Sequence, residues 1–181
     1  MRYDGDGDRA RVGFVRNSAR RLLAACDMRK PPVDLRVVVA HLGIAYHEAD
    51  LGQTVSAYCC EHAGARHAFV NTREHPHRQR FSLAHEIAHL ELFHGVRFVL
   101  RDPIDIDHPP ALAISRTRDP REREADIFAG ELLVPLAMLK MACAADFDLT
   151  RISQLFVVSR EVATIAVQTH WQWLQPKKRR R

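Results

Sequence analysis

Residues 78–93 read RQRFSLAHEIAHLELF, and within them His85-Glu86-Ile87-Ala88-His89 spells HExxH. The stretch holds neither proline nor glycine. Its apolar residues Phe81, Leu83, Ala84, Ile87, Ala88 and Leu90 fall on several sides of a helical projection, which predicts a buried helix. At about 100° per residue, positions i and i+4 differ by about 40°, so His85 and His89 project from one face, about one turn apart. Two neutral imidazoles at that spacing can bind one zinc ion. Glu86, rotated by about 100° from His85, flanks the ion in position to hydrogen-bond a water. Burying two histidines and a glutamate among so many apolar residues without a shared task would be costly. The three therefore read as a metal site.

A catalytic zinc needs a third protein ligand and one open position. The longer pattern HExxHxxGxxH fails, because Leu92 and Gly95 stand where glycine and histidine are required. His94 follows His85 by nine residues, about 180° around the helix, and cannot share its ion. Glu122 is the better candidate, with Asp126 four residues later on the same helical face. A ligating carboxylate and a second carboxylate that accepts the remaining N–H of a ligand histidine form a sound pair. Glu122 also fits position N3 of a capping box begun by Asp119, and the two roles are compatible. Glu124 points elsewhere and reads as a solvated charge, with a fallback role as third ligand.

Outside this centre the punctuation is clear. A helix is expected from 12 to about 28, where Phe14, Val15, Ala19, Leu22, Leu23 and Cys26 recur at helical spacing before Pro31-Pro32. A short helix over 34–42 stops at Gly43. Strands are expected at 44–47, 55–60 and 67–70. The stretch 101–120 contains Pro103, Pro109 and Pro110 and reads as a lid or binding loop. Asp119-Pro120 opens a further helix, which Pro135 interrupts. Helices near 136–145 and 159–173 follow, with a helical turn near 150–156. The expectation is one α+β domain over 12–173, a flexible leader over 1–11 and a basic, disordered tail over 174–181.

Composition agrees with a globular chain. Of 181 residues, 46% are apolar and 27% charged. No stretch approaches the roughly 20 apolar residues of a membrane span, and MRYDGDGDRA has no apolar signal core. The expected location is the cytoplasm. Asp4-Gly5-Asp6-Gly7-Asp8 begins like a calcium loop but has Arg9 where glycine is needed and Val15 where glutamate is needed. The net charge of +5 equals the charge of Lys177, Lys178, Arg179, Arg180 and Arg181, so the remaining body is neutral. That argues against a nucleic-acid-binding face. Cys26, Cys59, Cys60 and Cys143 form no CxxC pair and read as reduced thiols.

Taken with Arg80-Phe81-Ser82-Leu83-Ala84 ahead of HExxH, the runs Glu122-Arg123-Glu124-Ala125-Asp126-Ile127-Phe128-Ala129 and Leu132-Leu133-Val134-Pro135 resemble the ImmA/IrrE family of metallopeptidases. The likeness extends upstream through Pro32-Val33-Asp34-Leu35, Leu42-Gly43-Ile44 and Val70-Asn71, and downstream to Phe156-Val157-Val158-Ser159. It implies a zincin-like metallopeptidase with a small β-sheet, an HExxH active-site helix and a C-terminal helical part. It also implies a role beside a phage, mobile-element or stress-response repressor of the helix-turn-helix type, which the enzyme inactivates by cleavage. The family's ligands for one zinc ion carry over onto His85, His89 and Glu122, and its catalytic glutamate onto Glu86. Val134 replaces a more usual methionine, a conservative change.

In the expected mechanism, zinc polarises the scissile carbonyl and lowers the pKa of water towards about 7, and Glu86 is the general base. The donor set does not itself separate zinc from manganese. Tyr46, Tyr58, His62 and His67 are candidates for further oxyanion stabilisation, each more readily read as structural or exposed. An edge of the sheet could take an extended substrate as an added strand. Two rival readings remain. One is a zinc protein that sequesters a regulator without cutting it. The other is a DNA-binding module, since TRISQLFVVSREVATIA over 150–166 resembles a helix-turn-helix. Its second helix is too apolar for that task and is expected to pack on the core.

Overall fold

Helices begin where the sequence supplies a cap. In the computed structural model, which describes residues 11–92, 98–99, 119–143 and 147–175, α1 (Val12–Ala25) leads to α2 (Leu35–His41), capped by Asp34. Gly43 follows α2 with φ +64°, the left-handed conformation that glycine adopts without steric cost, and its N–H closes the helix on Ala40 O. Three strands come next: β1 (Ile44–Ala49), β2 (Ala57–His62) and β3 (Ala65–Asn71). The HExxH stretch lies on α3 (Pro76–Glu91), which starts two residues earlier than the sequence suggests. Pro76 occupies its first turn, where the missing N–H has no helical partner to lose, and the His75 side chain accepts from the N–H of His77.

After the two-residue β4 (Phe98–Val99), α4 (Pro120–Leu133) opens on Asp119 and Pro120 as the sequence predicts. Pro135 separates it from α5 (Leu136–Ala142). The stretch read as a helical turn is a full helix, α6 (Leu149–Phe156), capped by Asp148. Val157 then takes a left-handed conformation, and Ser159 caps α7 (Arg160–Leu174). Residues 1–10 of the expected leader, the proline-rich stretch over 101–118 and residues 176–181 of the expected tail lie outside the described residues, while Arg11 is described ahead of α1 and Leu174 ends α7.

The sheet has the order β1-β3-β2-β4, with β1 parallel to β3, β2 antiparallel to β3 and β4 parallel to β2. Period-two alternation divides it into two faces. Ile44, Ala57, Cys59, Ala68 and Val70 join the main core with the helices, while Val55, Tyr58, Cys60 and Phe69 form a second cluster on the opposite face. The main core runs from Val15 of α1 to Val167 of α7. At its centre Ala84, Ile87 and Ala88 of α3 meet Ala125, Phe128 and Ala129 of α4, all with no exposed surface. Small residues on both helices permit close approach, which brings side chains of one helix within reach of the other. No helix among the described residues is long and apolar enough to cross a membrane. All four cysteines are free thiols.

Candidate metal centre and cleft

α3 places His85 and His89 one turn apart, with their Nε2 atoms 3.1 Å from each other. Glu122, in the first turn of α4, brings Oε2 to 3.2 Å from His85 Nε2 and Oε1 to 3.6 Å from His89 Nε2. A tetrahedral zinc ion with ligand distances near 2.0–2.1 Å needs neighbouring donor atoms about 3.3 Å apart. The His85–His89 and His85–Glu122 Oε2 separations lie close to that value, and one donor atom from each of the three residues lies within 4.8 Å of the others, so imidazole and carboxylate donors of the kind zinc takes are gathered in one place. His85, His89 and Glu122 therefore form a group that could hold a metal ion.

The surroundings orient these donors. Asp126 Oδ1 lies 3.0 Å from His85 Nδ1, one helical turn beyond Glu122. With the proton on Nδ1, the Nε2 lone pair of His85 faces the group. Burial pulls the His85 pKa down, but the Asp126 hydrogen bond and the charges of Glu86, Asp126 and Glu122 together hold it above its ordinary value. Glu86 is only 4% exposed, and its Oε2 accepts from the Cys59 N–H of β2 at 3.2 Å. That bond ties the glutamate to the strand beside the helix. Cys59 thus turns its N–H away from β3, and alternation turns the backbone of Ala57 to the same side.

Glu124 corrects the reading from sequence. It is fully buried, not solvated, and its carboxylate is held by Arg11, the residue ahead of α1, through the backbone N–H at 2.7 Å, Nε at 3.0 Å and a terminal nitrogen at 2.8 Å. It is accordingly not part of the three-donor group.

A cleft of about 1100 Å³ holds the centre. His85 and Glu86 of α3, Glu122 and Asp126 of α4, Ser56 and Ala57 beside and in β2, and Val162 and Ala166 of α7 line it. None of Tyr46, Tyr58, His62 and His67 is among its described lining residues. Tyr46 donates to Glu48, and burial together with that carboxylate pushes its pKa up to about 12. Tyr58 stacks on Phe69 in the second cluster. His67 Nδ1 lies 3.0 Å from His47 Nε2, and burial and neighbouring histidines hold both pKa values down. The cleft also contains residues that the sequence did not single out: Arg16, His75, His77, Glu131 and His170. Glu131 left one signal, a charge set directly among Ala129, Leu132 and Leu133.

The α+β core thus brings two histidines and a glutamate from facing helices into one group beside the cleft. Residues 39–167 match the family model of the IrrE N-terminal-like domain, peptidase M78, and the chain belongs to that family. Among solved structures, a Mycobacterium tuberculosis transcriptional regulator is similar, with a TM-score of 0.63 and 17% identity. The likeness covers 92% of this chain and 49% of that one, so this chain spans about half the length of the regulator. At that identity it shows a shared fold. No curated protein matches the chain.

Proposed function

We propose that this protein is a cytoplasmic zinc-dependent endopeptidase, with residues 12–173 as its catalytic domain. Its proposed substrate is a helix-turn-helix repressor, cut at an exposed segment and so released from its operator. The observation that carries the reading is the convergence of His85, His89 and Glu122 beside a buried Glu86, at a cleft that His85, Glu86 and Glu122 line. His85, His89 and Glu122 would hold the ion and Asp126 would orient His85. Zinc, when bound, supplies a Lewis acid for the scissile carbonyl and lowers the pKa of water. Glu86 is the general base: it takes a proton from the attacking water and returns it to the leaving amine. Its bond to Cys59 N–H fixes one carboxylate oxygen and so positions the group for that work. The outward edge of β2 at Ala57 offers backbone groups to an extended substrate.

The test is digestion of a repressor encoded beside the gene and of unfolded casein, using zinc-loaded wild type and Glu86→Gln. The expected outcome is a defined repressor fragment with wild type, little casein cleavage, and loss of most repressor cleavage in the variant. Repressor bound by wild type but left intact would favour sequestration. Rapid casein digestion with the repressor untouched would leave a general peptidase.

A further inference from the structure

α4 carries a glycine that its packing does not require. Gly130 lies inside the helix, its backbone is not left-handed, and a Cβ built there would meet no atom within 4 Å. Glycine in a helix interior is disfavoured relative to alanine, because it gives up more backbone freedom on folding. Gly130 does, however, line the cleft. In projection it stands about 80° from Glu122 and about 100° from Glu131, between the α4 face that meets α3 and the face that meets α1. Among the α4 positions that line the cleft, Gly130 is the one without a side chain.

Beyond Gly130 lie Arg16 of α1, Glu131 of α4 and His170 of α7. Glu131 and His170 are each 3% exposed, yet Glu131 Oε2 and His170 Nδ1 have no hydrogen-bond partner among the described residues. His170 Nε2 is 3.2 Å from Glu131 Oε2, without hydrogen-bond geometry. Arg20 Nε donates to Glu131 Oε1 at 2.8 Å, whereas Arg16 Nε stands 3.9 Å from Oε2, too far for a hydrogen bond. Two guanidinium groups against one carboxylate leave a positive charge over, and Arg16 presents it to the cleft. Buried polar atoms without partners are uncommon and call for a ligand or a water.

We propose that this end of the cleft is a second subsite that takes a carboxylate of the bound peptide, from an aspartate or glutamate side chain or from a free C-terminus. The peptide chain reaches it by crossing α4 at Gly130. The proposal rests on the peptidase reading above. Arg16 pairs with the carboxylate, and His170 Nδ1 offers a donor beside it. Glu131 follows Glu122 by nine residues, about 13 Å along the helix axis. An extended chain covers that distance in about four residues. The acidic group therefore falls about four residues from the scissile bond, past the apolar stretch at Ile127, Val162 and Ala166.

The test uses zinc-loaded Glu86→Gln protein and fluorescent pentapeptides anchored on the metal, so that the register is fixed. One set carries an N-terminal mercaptoacetyl group and the other a C-terminal hydroxamate, covering both chain directions. Glutamate or glutamine is placed at each position in turn, and the first set is also made with a free C-terminal carboxylate. Expected is about tenfold tighter binding of glutamate over glutamine at one position, or of the free carboxylate over the amide. The arm that shows the gain identifies the source. Arg16→Ala and Gly130→Ala should each bring the ratio below about twofold, and Arg16→Lys should restore part of it. Gly130→Ala should also raise the melting temperature, which separates its binding defect from misfolding. Anchored binding with equal affinity in every glutamate and glutamine pair, and no gain from a free carboxylate, would overturn the subsite and leave the peptidase reading standing. An acidic preference that survives Arg16→Ala would overturn it too. Absence of anchor-dependent binding in both sets would overturn the metal reading and the subsite together.

Discussion

Glu122 and Glu124 stand two residues apart on α4 and about 200° apart around it, so they serve different neighbours. Glu122 meets His85 and His89, while Glu124 meets Arg11. Glu122→Gln should lose most bound zinc yet match wild type in stability when both are metal-free, because its side chain is 29% exposed at the rim of the cleft. Glu124→Gln should keep its zinc and lose about 3 kcal/mol, since it removes one charge of a buried pair. Elemental analysis and urea unfolding of both variants check this, and equal zinc loss in the two would refute the assignment. Asp126→Asn belongs to the same contrast. Its side chain is 60% exposed, so the fold should be unaffected, while zinc affinity should drop about 10–100-fold in a competition with a chelating dye. The sequence separates the two faces of α4 by helical arithmetic. It does not say what lies opposite each, because Arg11 is distant in the chain and only the tertiary fold brings it to Glu124.

α4 is also where elements meet, and its far end sets a pH dependence. Burial opposes ionisation of Glu131, but the close approach of His170 and Arg20 to its carboxylate outweighs it and holds the carboxyl below its ordinary pKa. A carboxyl whose pKa is lower in the folded than in the unfolded chain adds stability above the unfolded value, about 4.3 for glutamate. That contribution is lost as the pH falls through the lower folded value. Urea unfolding across this acid range should therefore show wild type losing stability faster than Glu131→Gln, with the gap between them closing as the pH drops. Parallel curves would contradict it. The start of α4 makes a second element-level prediction: Asp119→Ala should cost about 1 kcal/mol by removing the cap on Arg121 N–H. Aspartate followed by proline made this helix start legible, as glycine made the end of α2 legible. The start of α3 was not, because histidine is an unusual cap and Pro76 reads as a breaker until its place in the first turn is seen.

Across the whole molecule, the candidate centre joins two helices that are far apart in the chain but packed through alanines at the core. HExxH marks one half of it in the sequence by periodicity alone. The Glu122 and Asp126 spacing points to the other half, but the cleft that runs on to Arg16 and His170 depends on α1, α4 and α7 packing together, which no local pattern encodes. That arrangement predicts how zinc should act on the fold. An ion held by His85 and His89 on α3 and by Glu122 on α4 binds the folded chain and has no preformed site in the unfolded one. At a free zinc concentration about 1,000 times the dissociation constant, the folded state gains about 4 kcal/mol. For a chain of this size each kcal/mol moves the melting temperature by about 2–4 °C, so zinc should raise it by roughly 8–16 °C. His89→Ala should show almost none of that rise, while Glu86→Gln should show all of it, because Glu86 lies outside the three-donor group. Differential scanning calorimetry with and without chelator measures both. A full rise in His89→Ala would place the metal elsewhere, and its loss in Glu86→Gln would make the glutamate a ligand instead of a base.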